Sequence, residues 1–320
     1  MESGAGRFTD FMLPPLTFNE FIHLKNFSNL IVPSVIEWNG KEIAAYTAVD
    51  MNRLNELFLN YMNYGGYPEV VFSEQIQLNP GQYIRHDIID KVLLRDLPSL
   101  YGIHDVQELN TLFTVIAYHS GHEFSYEKLS KESGVKKETI RKYIEYLEAA
   151  FLIRVIHKTD ENAKRFQRAT SFKIYLTNPS LRCALFQPLQ STDEEMGNMV
   201  ETTIFAQWIQ RSDAQVYYAN WKNGRKQGEV DLVGLHVATQ KPVWAVEIKW
   251  SNHYYEHPGD LRSLLDFLNN NDLQDAVVTS ISKSGNRQQG EVRLLFIPAA
   301  IYAYMVGQNT LEKKQQRLGL

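Results

Sequence analysis

Gly228-Glu229-Val230-Asp231-Leu232-Val233, followed by Val243-Trp244-Ala245-Val246-Glu247-Ile248-Lys249, is the stretch on which the reading of this chain turns. Both runs read as strands, and Asn223-Gly224 ahead of the first is a hairpin turn signal. In extended chain, residues two apart share a face. Glu229 therefore lies with Asp231, and Glu247 with Lys249. Acidic side chains inside apolar strands are costly unless something compensates them, and a divalent cation does so. Carboxylate oxygens suit Mg2+, or Mn2+, which keeps some waters and shares its shell with phosphate oxygens. An Asp followed by Glu-x-Lys is thus a kit for hydrolysing a phosphodiester. The cation offsets charge on the phosphate, and the lysine orients the nucleophile or stabilises charge. A second reading stays open, because a lone Glu-x-Lys on a strand is commonly a surface ion pair.

Working outward, Met199 to Gln210 is helical, with Val200, Ile204, Phe205 and Trp208 on one face and Glu201 near its start. Leu261, Leu264, Leu265 and Leu268 form one face of a helix after Pro258-Gly259. Ala276 to Thr279 and Leu294 to Ile297 read as further strands, giving a mixed sheet with flanking helices. His253 and His257 are four apart but lack the carboxylate motif of a zinc helix. Trp250, Tyr254 and Tyr255 suit either base stacking or core packing. The segment Leu311 to Leu320 reads as a frayed helix end.

Between Glu123 and His157 lies a second pattern. Ser125 caps a short helix to Ser133, Gly134-Val135 turns tightly, and Lys136 to Leu147 forms a second helix with Val135, Ile140, Ile144 and Leu147 inward. Phe151 to Ile156 and Ser171 to Leu176 read as a following pair of strands, so the expected unit is a winged helix-turn-helix. Residues 121–170 hold 11 Lys/Arg against 8 Asp/Glu. Lys136, Lys137, Arg141 and Lys142 on the second helix, with Lys158, Lys164, Arg165 and Arg168 in the wing, would contact DNA phosphates. Winged helices also serve as protein-docking modules, and that alternative stays open.

Nearer the start, Thr17 and Glu20 form a capping box. Leu54, Leu57, Phe58 and Tyr61 recur at helical spacing. Tyr83 to Leu97 reads as one helix buried along Ile84, Ile88, Val92 and Leu93, and Val106 to Tyr118 as another.

The whole chain has 320 residues, a net charge of -4, 44% hydrophobic residues and one cysteine. Disorder, a disulfide framework and a Cys-based zinc site are excluded. The longest nearly apolar run, Leu294 to Tyr304, contains Pro298 and falls short of the roughly 20 residues a spanning helix needs. No leader opens the sequence, so a cytoplasmic protein without membrane association is expected.

In combination these pieces resemble the C-terminal half of prokaryotic AAA-type ATPases that end in a DUF4143 domain. Tyr64-Gly65-Gly66-Tyr67-Pro68-Glu69-Val70-Val71 and Asp96-Leu97-Pro98 look like that family's signatures. Glu2 to Arg7 and Leu13 to Phe21 are similar to the segments following its ATPase core. No G-x-x-x-x-G-K-[ST] loop occurs, so no ATP-binding residue is assigned and ATP hydrolysis is not expected of this polypeptide. An ATPase-domain partner or a homo-oligomer is an expected assembly. The resemblance implies an ATPase-domain remnant and helical lid-like segment (1–119), a winged helix (120–178) and an α/β domain similar to PD-(D/E)xK nucleases (179–320). It also implies Asp231 and Glu247 as metal ligands, Lys249 as the catalytic lysine and Glu201 as the helix carboxylate. The expected activity is DNA cleavage dependent on Mg2+ or Mn2+; a non-catalytic DNA-binding or regulatory protein, or one half of a split ATPase, is the alternative.

Overall fold

The computed structural model describes residues 14–38, 40–159, 171–209, 215–223 and 226–318. Lys164, Arg165, Arg168 and the Glu2–Arg7 segment lie outside them. A separate ribbon comes first, β1 (Ile31–Trp38) pairing antiparallel with β2 (Lys41–Ala48). The following strands are β3 (Glu123–Phe124), β4 (Ile153–Thr159), β5 (Phe172–Leu176), β6 (Val216–Asn223), β7 (Lys226–Leu235) and β8 (Pro242–Glu247). They are completed by β9 (Asp275–Ser280), β10 (Gly285–Gln289) and β11 (Val292–Pro298). All nine share one sheet in the order β10-β11-β9-β8-β7-β6-β4-β5-β3. The sheet is mixed: β11–β9, β9–β8 and β4–β6 are parallel, the other pairs antiparallel. The expected mixed α/β class is what the chain adopts.

Alternation along the strands separates the apolar cores. Tyr218, Leu232 and Val246 join one core with the helices Phe18–Leu24, Met51–Tyr64, Met196–Ile209 and Ala299–Leu318. Ala219, Val233 and Ala245 join another with Leu264, Phe267 and Leu268 of the helix Arg262–Asn270. A third core holds the helices Val106–Tyr118, Tyr126–Ser133 and Lys137–Ala149. Strand β5 is buried along its whole length and partitions two of these cores. Phe172, Ile174 and Leu176 enter the helical core, whereas Tyr175 enters the core of the Met196–Ile209 helix. Lys173, two residues before Tyr175, shares its side of the strand. The cores thus cut across the three consecutive segments expected from the sequence, since Phe18 to Met62 pack with residues of 196–306.

Local chemistry explains the element boundaries. Thr17 and Glu20 make the reciprocal capping box of the first helix. Ser125 accepts from Lys128 N at the start of one helix, and Gly134 closes it at φ +75, where a side chain is strained. The two helices flanking Gly134 are followed by the antiparallel pair β4–β5, as the sequence leads one to expect.

One helical reading needs correction. Ile84–Asp90 and Val92–Asp96 are π-helical, within a helical run that continues to Tyr101. The wider turns shift the stripe, so Ile84, Ile89, Leu93 and Leu97 are buried while Ile88 and Val92 are half-buried. Residues 311–318 form the last part of the 20-residue helix Ala299–Leu318, which is buried from Ala299 to Tyr304. The ribbon β1–β2 and strand β10 had no sequence assignment.

The paired glycines at 65 and 66 are required by close approach. A Cβ on Gly65 would meet Tyr61 and Phe21, and one on Gly66 would overlap the Asn178 side chain. Gly66 O also accepts from Leu16 N at 2.8 Å, tying the first segment to this glycine loop. Gly66→Ala is expected to lower stability by about 1–3 kcal/mol through overpacking, seen as a reduced Tm; an unchanged Tm would mean Asn178 yields freely. Cys183 is 3% exposed, and burial pushes its thiol up to about 12. At about pH 8 it should not react with a thiol reagent in the native chain and should react fully after denaturation. Rapid native labelling would contradict this packing.

Candidate functional site

Strand β7 runs beside β8 through the pairs Gly234–Trp244, Val233–Ala245 and Leu232–Val246, and the ladder stops there. One residue further on each strand stand Asp231 and Glu247. Beyond this point β8 leaves β7: the freed Ile248 N–H donates to Asp231 Oδ2 at 2.7 Å. The next residue is clamped by the neighbouring parallel strand. Lys249 N donates to Thr279 Oγ1 at 2.7 Å, and that hydroxyl donates to Lys249 O at 2.9 Å. Fixed in this way, the Lys249 ammonium lies 2.7 Å from Glu247 Oε1 and 3.7 Å from Asp231 Oδ2. The Glu-x-Lys is therefore no exposed surface pair: Asp231 is 6% and Glu247 7% exposed.

Glu201 comes from the helix Met196–Ile209 and is also buried. Its Oε1 accepts from the Lys173 ammonium at 2.9 Å and from the Tyr175 hydroxyl. Lys173 also lies 2.6 Å from Glu229 Oε1, and Asn220 Nδ2 donates to Glu229 Oε2 at 2.8 Å. The structure thus gathers Glu201, Asp231, Glu247 and Lys249, and adds Glu229, Lys173 and Tyr175. Lys173 and Tyr175 join this cluster without having been singled out in the sequence. The available signal was a lysine in the otherwise apolar run Phe172-Lys173-Ile174-Tyr175-Leu176, which is costly without a buried partner.

The electrostatics follow from four carboxylates facing two ammonium groups. Burial, then the Asp231 charge, push the Glu247 carboxyl up to about 8 against the pull of Lys249. Burial likewise raises Glu201, opposed by Lys173 and reinforced by Asp231. For the two lysines burial opposes the charge, yet the surrounding carboxylates hold both above the ordinary lysine range.

Whether these residues suit a divalent cation is tested by Glu247 Oε2, a buried oxygen with no hydrogen-bond partner. An orphaned carboxylate oxygen beside Asp231, in a cluster with surplus negative charge, fits a hard cation that needs only one or two carboxylates. Among the described residues, no three His, Cys, Asp or Glu side chains are already gathered as a complete ligand set. His253 binds Asp260 at 2.7 Å, its ring 4.8 Å from that of His257, and the pair lies on the exposed surface. Trp250 packs against Phe58, Tyr254 lies 6.0 Å below the Lys249 ammonium, and Arg287 covers Tyr255 at 3.7 Å.

Of the cations expected on the second helix, Lys136, Lys137, Arg141 and Lys142 are all exposed. Lys137 pairs with Glu127 at 2.7 Å, and Arg141 lies 4.7 Å over the Tyr126 ring. A groove of about 450 Å3 begins there, lined by Tyr126, Arg141, Arg154, Trp208 and Tyr217, with Glu145 and Glu148 among its walls. None of the carboxylate-cluster residues line it.

Comparison with known proteins places two domains of unknown function on this frame. Residues 196–302 match the DUF4143 domain, so the chain carries that domain from the Glu201 helix into the Ala299–Leu318 helix. Residues 55–193 match a second domain of unknown function, DUF8612. An uncharacterized protein of Haemophilus influenzae is 23% identical over 212 residues, which are 65% of this chain and 46% of that protein. The chain thus aligns with less than half of that relative's length. No solved structure matches the chain. Among the described residues, no helix is long and apolar enough to cross a membrane.

A further consequence of the charge surplus is measurable without any ligand. Asp231→Asn keeps an oxygen for Ile248 N–H but removes one like charge from Glu201 and Glu247. The metal-free protein is expected to gain about 1 kcal/mol, a higher Tm in chelator, as active-site charge clusters trade stability for function. A lower Tm would show that Asp231 is a net stabiliser.

Proposed function

We propose that the chain is a DNA-binding, metal-dependent phosphodiesterase module, with a winged helix that engages DNA and a nuclease-like site of the PD-(D/E)xK type. The observation that carries this reading is the convergence of Asp231, Glu247 and Lys249 at the point where β8 leaves β7. Asp231 and Glu247 would hold Mg2+ or Mn2+. Bound there, the ion supplies positive charge for the phosphodiester and its departing oxygen. Lys249 is held through its backbone by Thr279, so its ammonium is preorganised to orient a nucleophile or stabilise charge on the phosphate. Glu201 is positioned on the adjoining helix as a further carboxylate. Lys136, Lys137, Arg141 and Lys142 supply exposed cations for phosphates, and Arg165 and Arg168 belong to the same proposal on sequence grounds.

The Haemophilus influenzae relative extends well beyond the matched region, and the family resemblance supports an ATPase-domain partner or a homo-oligomer as the working assembly. A second reading, a non-catalytic DNA-binding or regulatory protein, is favoured by one specific observation. Lys173 and Lys249 already sit against all four carboxylates, as in a self-neutralised ion network.

Cleavage of single- and double-stranded DNA in Mg2+ or Mn2+ separates the two. The nuclease reading expects activity that falls by about 100-fold or more in Asp231→Ala and Lys249→Ala. Activity surviving both substitutions would overturn the site, and no cleavage of any DNA form would favour the second reading. For binding, Lys136→Ala, Arg141→Ala and Lys142→Ala should each weaken DNA affinity evenly across sequences. Each should reduce the salt slope by about 1. Unchanged slopes would remove the helix from the interface.

A further inference from the structure

Lys173 is carried by β5, outside the DUF4143 match, yet its ammonium ends among that domain's carboxylates. It is 2% exposed, 2.9 Å from Glu201 Oε1, 2.6 Å from Glu229 Oε1 and 5.4 Å over the Tyr218 ring. Its backbone is fixed on both sides, opposite Ile156 of β4 and Glu123 of β3. Tyr175, on the same side of the strand, donates to the same Glu201 oxygen. One strand of the helical unit therefore delivers both a cation and a hydroxyl to the helix carboxylate. Burying a long cationic side chain is costly, and the cost is met here by contact with two carboxylates and an aromatic face.

The two ends of the cluster differ in consequence. At the β7–β8 end, Glu247 keeps an unpartnered oxygen. At the helix end, the carboxylate is already held by a positive charge. Resting on the metal-site reading above, we propose that the Lys173 ammonium is a built-in counter-ion that competes with a divalent cation for Glu201. It holds the helix carboxylate out of the cation's reach, so that the placement of β5 sets how tightly the site takes metal. Lys173 is on this view a positioning residue acting through Glu201.

The test is Mn2+ binding to the full chain by calorimetry, together with the Mn2+-dependent rise in Tm. Lys173→Met should bind Mn2+ at least about tenfold more tightly than the wild type, in the range by which residues behind metal ligands alter affinity. It should also show the larger Tm rise. Lys173→Arg, which keeps the charge, should match the wild type, and adding Glu201→Gln to Lys173→Met should cancel the gain. Unchanged or weaker Mn2+ binding in folded Lys173→Met overturns the proposal, as does a gain that survives Glu201→Gln. If Lys173→Met does not fold in metal-free buffer, Lys173→Gln is read in the same way. Failure of Mn2+ to restore either fold also counts against the proposal. DNA cleavage is scored separately. A wild type that cleaves DNA, with no affinity gain in Lys173→Met, refutes the counter-ion role alone. Tighter Mn2+ binding with no cleavage in any variant supports that role and refutes the nuclease reading.

Discussion

The contact of Lys173 with Glu201 at 2.9 Å and Glu229 at 2.6 Å is the constraint around which the carboxylate site is arranged. Glu201, Asp231 and Glu247 are each less than 10% exposed, and carboxylates so placed repel one another with little water to screen them. Lys249 offsets one end of the cluster through Glu247, and Lys173 offsets the other through Glu201 and Glu229. Remove either ammonium and a buried charge loses its partner, which typically costs about 3–5 kcal/mol. The network is therefore weak evidence of stability for its own sake and a reason to look for chemistry at this position.

That constraint also accounts for how the molecule is joined. Lys173 reaches Glu201 because the Met196–Ile209 helix packs directly on β5, with Phe205 stacked on Tyr175 at 3.8 Å. It reaches Glu229 because β5 is paired to β4, and β4 lies parallel to β6 through Lys158–Tyr218 and Thr159–Ala219. The two-helix unit and the sheet carrying Asp231 and Glu247 are thus parts of one continuous sheet. The β5 strand faces two cores at once, its even-numbered residues Phe172, Ile174 and Leu176 inside the helical one. The paired glycines, the Asn178 loop and Leu16 tie the first helices to the same junction. Position at the site is set from several distant segments.

Much of this was legible in the sequence where a local rule was at work. The capping box at Thr17, the Ser125 cap, the Gly134 turn and the 3.6-residue spacing of Leu54, Leu57, Phe58 and Tyr61 all depend on near neighbours. Asp231, Glu247 and Lys249 were legible because alternation fixes which residues share a strand face. Lys173 was not, since its partners lie 28 and 56 positions away and its meaning depends on which strand β4 joins. The buried stripe around Ile89 was misplaced because π-helical turns change the period.

Anomalous diffraction at the manganese edge, from crystals of the full chain soaked in Mn2+, locates the cation. A peak is expected within coordination distance of the Asp231 and Glu247 carboxylates, on the side of the unpartnered Glu247 oxygen. A clean map around those two residues, with manganese bound only elsewhere or not at all, would contradict a metal site at Asp231 and Glu247.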